Sequence, residues 1–186
     1  MAGGGPNSWY EPVLCLWFRQ LDYKAWFTKS DTTDALVREQ GLAIHKRIRH
    51  ELPDDVGTDP HAAVAAVIVL DQFPRNIFRG TPQAFATDQM ALRIAKAAVA
   101  AGLDQRLGKS ERMFLYLPFE HSEDRDDQRR SVELFATLGD AELSRYAAAH
   151  KAIVDRFGRF PHRNAILGRT STPEELAFLQ QPGSSF

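Results

Sequence analysis

Apolar residues recur along the chain at three- and four-residue intervals, and proline, glycine and short polar clusters separate the runs they form. The pattern predicts a helix behind a capping box at Ser8-Trp9-Tyr10-Glu11, running through Val13, Leu14, Leu16, Trp17 and Phe18 to near Leu21-Asp22. Trp26 and Phe27 then stand in a short connector. Ser30 or Asp31 caps a second helix carrying Ala35, Leu36, Leu42, Ile44 and Ile48, closed by Pro53. Asp59-Pro60, Thr81-Pro82 and Thr172-Pro173 each put a capping side chain before a proline at the first helical position, where the missing amide hydrogen costs nothing. The first opens HAAVAAVIVLDQF, stopped by Pro74; the second runs from Ala84 and Phe85 past Met90, Leu92, Ile94, Ala95 and Val99 to Gly102.

Ser110 with Glu111 begins a short aromatic helix from Met113 to Leu117, ended by Pro118. Ser122 caps the next, with an inward stripe of Gln128, Ser131, Val132, Phe135 and Leu138 and a stop at Gly139. Asp140 caps a long helix that aligns Leu143, Tyr146, Ala147, His150, Ile153, Val154 and Phe157 on one face and stops at Gly158. No alternating run of Val, Ile and Thr bounded by hairpin turns is present. The expectation is an all-α fold of seven to nine helices in antiparallel pairs. It forms one domain over residues 1–186, with a flexible Gly-rich tip at 1–8 and a polar tail at 181–186.

Two interruptions share a pattern. The stretch from Asp71 to Asp88, DQFPRNIFRGTPQAFATD, and that from Phe160 to Phe178, FPHRNAILGRTSTPEELAF, both order Phe, Pro, Arg and Asn, then Gly and Arg, then Thr-Pro. Asp71, Arg75, Asn76 and Arg79 belong to the first; Arg159, His162, Arg163, Asn164 and Arg169 to the second. Arginines beside helix N-termini suit a carboxylate or phosphate, because free amides and guanidinium forks both attract anions. The competing reading is that these groups close helix ends and pair with Asp71 and Asp88.

A second cluster spans Glu120-His121-Ser122-Glu123-Asp124. At helical spacing Asp124 would orient His121, giving an acid–base pair of His121 with Glu123 or Asp124; otherwise Ser122 caps and the carboxylates serve the helix dipole. His150 lies on an apolar face, where a buried, hydrogen-bonded core role competes with a ligand role. His121, His150, Glu123 and Asp124 are ligand types that suit a divalent metal, but HxxxH, HExxH and paired-Cys spacings are absent, so no cofactor is expected.

Composition narrows the classes. With 23 Lys plus Arg against 24 Asp plus Glu, the net charge of -1 offers no bulk attraction for nucleic acid or an acidic membrane. The longest apolar run, Ala62 to Leu70, is short of the roughly 20 residues that span a bilayer. A single cysteine, Cys15, permits no internal disulfide, and the start MAGGGPNS does not read as a secretory signal, so a cytoplasmic protein is expected. Glycine-rich phosphate loops, dinucleotide fingerprints and Gly-x-Ser-x-Gly settings are absent.

The segments WF at 17–18 and 26–27, LDQFPRNIFRGTPQAFATD at 70–88, FLYLPFEHSED at 114–124 and HKAIVDRFGRFPHRNAILGRTSTPEELAFL at 150–179 resemble those of the bacterial domain-of-unknown-function family 924. The match is weakest between Thr28 and Asp59, where AIHKRIRHELPDDVG replaces the usual aromatic and acidic positions. The resemblance implies a tetratricopeptide-like α-α superhelix and supplies no catalytic residues. Three functions follow as expectations. The first is binding of an anionic small molecule or carboxylate-bearing peptide by Asp71, Arg75, Asn76, Arg79, His150, His162, Arg163 and Asn164. The second is a hydrolase or transferase that uses His121 with Glu123 or Asp124. The third is an interaction scaffold with structural polar loops. Oligomeric state is left open.

Overall fold

Every regular element in the computed structural model, which describes residues 8–184, is helical; among those residues no strand occurs. The tip expected over 1–8 lies outside the described residues except for Ser8, and the tail does so at residues 185 and 186. The α-helices are α1 (Glu11–Cys15), α2 (Tyr23–Phe27), α3 (Asp31–Ile48), α4 (Pro60–Val67), α5 (Phe73–Ile77), α6 (Asp88–Ala100), α7 (Lys109–Glu120), α8 (Arg125–Ala136), α9 (Ala141–Phe157) and α10 (Pro173–Leu179). They pack as helix pairs, α3 with α5, α4 with α6, and α8 with α9, the last joined by the four residues from Thr137 to Asp140. The chain divides into two compact units: one takes it through Arg79 together with Gln83–Pro118, the other takes Gly80–Pro82 together with the chain from Phe119 on.

In the first unit α4 is apolar and buried except at His61 in its first turn, as its sequence demands. Asp59 starts it by accepting from the amides of His61 (2.8 Å) and Ala62 (3.1 Å). The helix does not stop at Pro74, as the sequence suggested. A wider turn with five-residue hydrogen-bond spacing, Ile68–Gln72, leads straight into α5, where Pro74 occupies the first turn. The carbonyl of Leu70 lies four residues before Pro74 and is denied the bond an ordinary residue there would donate. It accepts Thr87 Oγ1–H instead, at 2.5 Å.

A similar wide turn, Leu16–Gln20, continues α1, and the carbonyl of Trp17 inside it receives Trp26 Nε1–H at 2.8 Å. Trp26 and Phe27 are therefore part of a helix, α2, capped by Asp22, rather than a connector. Trp17 packs on Phe73 and Phe114 at centroid distances of 5.7 and 5.4 Å. Where α3 meets α5, a Cβ on Gly41 would stand 2.6 Å from the ring of Phe73, so only glycine allows this approach.

Other local expectations fail for stated reasons. Ser8 and Glu11 form no capping box; α1 begins behind Tyr10 without a side-chain cap. The buried face of α3 is Thr33, Val37, Gly41, His45 and Ile48, not the apolar set Ala35, Leu36, Leu42 and Ile44. Thr81-Pro82 opens only the short turn Pro82–Phe85, and the long helix begins afresh at Asp88. Helix α7 starts at Lys109, with Glu111 reaching back to the amide of Gly108 at 2.8 Å, and runs through Pro118 to Glu120.

In the second unit the core is Ile153, Val154 and Phe160, with Phe157 and Phe178 against it. Asp140 caps α9 through the amides of Glu142 and Leu143. Gly158, at φ +69°, ends α9 in the left-handed conformation that favours glycine. Thr172 and Glu175 form a full capping box on α10.

Candidate functional site

The first Pro-Arg-Asn loop is closed by carboxylates of its own unit. Arg75 donates to both oxygens of Asp88 at 3.0 Å each, lies 3.3 Å from the fully buried Asp71, and also bonds the Asp71 carbonyl. Burial opposes the charge of Arg75, yet Asp71 and Asp88 hold its proton more tightly than usual. Asn76 donates to Asp34 at 2.8 Å, and Arg79 grips the same carboxylate with two bonds of 2.6 Å. Asp71, Arg75, Asn76 and Arg79 thus form a clamp that ties α5 to α3 and α6.

The second loop repeats the clamp with glutamates. Arg159 makes bonds of 2.7 and 2.8 Å to Glu175, which also receives Thr172 N and Asn164 Nδ2. Arg159 first, against some burial, pulls the Glu175 carboxyl down to about 2. Arg169 makes bonds of 2.7 and 2.9 Å to Glu123, whose Oε1 also accepts Phe160 N–H. Burial would raise the Glu123 carboxyl, but these bonds hold it below the usual range.

Residues 121–124 are not helical, so the spacing that would set Asp124 beside His121 is absent. Asp124 is the cap of α8, accepting from the amides of Asp126 (2.8 Å) and Asp127 (3.1 Å); Ser122, expected as that cap, donates to Asp127 at 2.8 Å. The carboxylate beside a histidine is Glu120. Its Oε1 lies 3.1 Å from His150 Nδ1, and both side chains are almost wholly buried.

Around this pair the second loop adds its own groups. His121 and His150 have ring centroids 6.4 Å apart, His150 meets Phe160 edge-on at 5.7 Å, and His162 lies 5.7 Å from the other side chain of that contact, Phe160. The buried Arg163 stacks over the Phe160 ring at 4.6 Å and donates to the His121 carbonyl at 3.0 Å. Three segments therefore converge: the α7–α8 turn, the middle of α9 and the turn at 161–163. His150 Nδ1 is also 2.9 Å from the Tyr146 carbonyl. Burial, with His121, Arg163 and His162 adding positive charge nearby, lowers the His150 pKa to about 3 and favours the neutral imidazole. Among the described residues no three or more His, Cys, Asp or Glu side chains are grouped so as to hold a metal ion.

Sequence reasoning brought His121, His150, His162 and Arg163 forward and missed the Glu120–His150 contact. It also passed over His45, which is 1% exposed on the inner face of α3 and forms no hydrogen bond through either ring nitrogen among the described residues. The signal was present, since His45 follows Gly41 by four residues and precedes Ile48 by three.

The fold and site define an all-α protein of helix pairs, with arginine–carboxylate clamps at its loops and a buried histidine cluster in its second unit. The chain belongs to the bacterial family of proteins of unknown function numbered 924, whose model matches residues 13–183. It is similar to the solved structure of a protein of unknown function from Agrobacterium tumefaciens, with 38% identity, a TM-score of 0.86, and coverage of 92% of this chain and 96% of that one. No curated protein matches the chain. No helix among the described residues is long and apolar enough to cross a membrane.

Proposed function

We propose that the protein binds an anionic small molecule or a carboxylate-bearing peptide end at the cluster of His121, His150, His162 and Arg163. The observation that carries this reading is the convergence of three histidines and an arginine from three segments around Phe160. Arg163, His121 and His162 of this set can donate to an oxyanion, with the neutral His150 packed beside them and in surroundings dry enough to make each bond count. Asn164 serves this site indirectly, by fixing the loop through Ser171 and Glu175. Asp71, Arg75, Asn76 and Arg79 are assigned to structure, since their charges are matched by Asp34 and Asp88. Cytoplasmic location fits this reading.

The test is a thermal-shift and calorimetric screen of short carboxylates and inorganic phosphate at pH 7. Stabilisation by a carboxylate that is lost in Arg163→Met and kept in Arg79→Met is expected. A flat response to every anion defeats the proposal.

One observation favours a catalytic reading beside it: the buried Glu120–His150 contact at 3.1 Å, in which a carboxylate orients an imidazole. In that case His150 with Glu120, rather than His121 with Glu123 or Asp124, is the acid–base pair. Hydrolysis of p-nitrophenyl acetate or phosphate that disappears in His150→Gln would support it, and equal rates in both proteins would remove it.

A further inference from the structure

Helix α8 carries buried polar atoms that the anion-binding reading does not use. Gln128, on α8 and fully buried, donates Nε2–H to the carbonyls of Glu120 and Ser122 at 2.7 Å each. Because these partners are acceptors, they fix which end of the amide is nitrogen. Its Oε1 is buried and has no hydrogen-bond partner among the described residues. One helical turn further on, on the same face of α8, the hydroxyl of the fully buried Ser131 is also without a partner among those residues.

Gln128 reaches the turn that carries His121. Gln128 holds the carbonyls of Glu120 and Ser122, and Arg163 holds the carbonyl of His121 between them, so both side chains grip three consecutive residues of one turn. The hairpin gives an independent measure. Gln128 lies eight residues before the end of α8 at Ala136, and His150 nine residues after the start of α9 at Ala141. At about 1.5 Å per residue the two stand at nearly the same height above the turn.

Buried polar atoms are almost always satisfied, by protein, by water or by a ligand. We infer that the ligand of this site is a short acid carrying a hydroxyl or amino group, with its anionic end toward Arg163 and the histidines and its hydroxyl or amino group donating to Gln128 Oε1 and sharing a hydrogen bond with the Ser131 hydroxyl. The inference rests on the anion-binding reading and narrows it from anions at large to hydroxy- and amino-acids. A plain acid of the same size leaves Gln128 Oε1 without a donor and the Ser131 hydroxyl without a ligand partner, which is the situation in which discrimination between close analogues is largest.

Matched pairs test this: lactate against propionate and glycine against acetate, by calorimetry at pH 7 with the full chain. At least one substituted acid should bind about tenfold tighter than its plain partner, and Ser131→Ala should shrink that ratio while leaving propionate and acetate unchanged. Equal affinity within both pairs overturns the inference but leaves anion binding standing. Binding of none of the four overturns the inference, and with no response to inorganic phosphate it removes anion binding as well. A crystal structure with lactate bound, in which one ordered water still bridges Gln128 Oε1 and Ser131 Oγ, also overturns it, because water would then be the missing partner. If Ser131→Ala does not fold, the wild-type ratios decide alone.

Discussion

Two buried histidines lie beside the two Pro-Arg-Asn loops, and they differ mainly in their company. His45 meets Phe78 of the first loop edge-on at 5.5 Å, and among the described residues Arg49 is the charged group acting on it. His150 meets Phe160 of the second loop in the same manner, at 5.7 Å, yet it also contacts Glu120 and the Tyr146 carbonyl and has His121, His162 and Arg163 around it. Burial lowers both pKa values, His45 to about 4 and His150 to about 3. A depressed pKa therefore does not separate a site from a core. Company does: His45 is packing, whereas His150 sits among groups that can receive an anion and move a proton.

The largest effect tests whether the first loop is structural. Arg75→Met leaves the carboxylate of Asp71 fully buried beside no cation of its own loop, which should cost about 3–5 kcal/mol in urea unfolding at pH 7. Adding Asp71→Asn should restore part of that loss, because the buried charge facing the missing guanidinium is removed with it. A loss below about 1 kcal/mol would mean that the clamp is not what holds α5.

His45 comes next, and its effect appears only in acid. Its pKa is about 4 in the folded chain against an ordinary 6.5, so the unfolded chain binds the proton first. Stability therefore falls as pH drops from 6.5 toward 4 and changes no further from this cause below that. His45→Leu should flatten the slope, by up to about 3 kcal/mol at pH 4, and be neutral or stabilising at pH 7. Urea midpoints at pH 7, 5.5 and 4.5 decide it; parallel slopes in the two proteins would show that His45 is not the titrating group.

Glu175 is the second loop's counterpart of Asp88 and titrates in the opposite sense. Held at about 2 by Arg159 against an ordinary 4.5, its carboxylate contributes stability above pH 4.5 that is lost as pH falls toward 2. Glu175→Gln should cost about 2 kcal/mol at pH 7, since it removes the charge from the Arg159 fork while its amide oxygen can still accept Thr172 N–H, and the gap to wild type should narrow below pH 4.5 and be nearly gone by pH 2. A gap that stays constant with pH would assign the cost to packing rather than charge.

The sequence disclosed helices well where a single residue decides them. Asp59, Asp140, Thr172, Gly102, Gly139 and Gly158 all punctuate the chain as their chemistry requires. It misled where the answer lay in a distant partner. The inner face of α3 takes Gly41 and His45 because Phe73 and Phe78 meet it, and no local pattern reveals that. Likewise Asp124 looked like a partner for His121 until the break after α7 made it a cap, and Glu120 took the place beside His150. Clamps between a loop and a helix more than forty residues away, such as Arg79 with Asp34, cannot be read from spacing.

The smallest effect concerns the prolines, which the two loops treat differently. Pro161 begins a short turn behind the extended Phe160, where its missing amide hydrogen leaves nothing unpaired. Pro74 sits in a continuous helical path, and the structure answers with a wide turn before it and the Thr87 hydroxyl on the Leu70 carbonyl. Thr87→Val keeps shape and burial but removes that donor, so the buried carbonyl loses its compensating bond. The expected cost is about 1 kcal/mol, with faster hydrogen exchange confined to the amides of Phe73 to Ile77. If exchange there is unchanged, the wide turn alone accommodates Pro74, and the Thr87 bond follows from packing rather than supporting the proline.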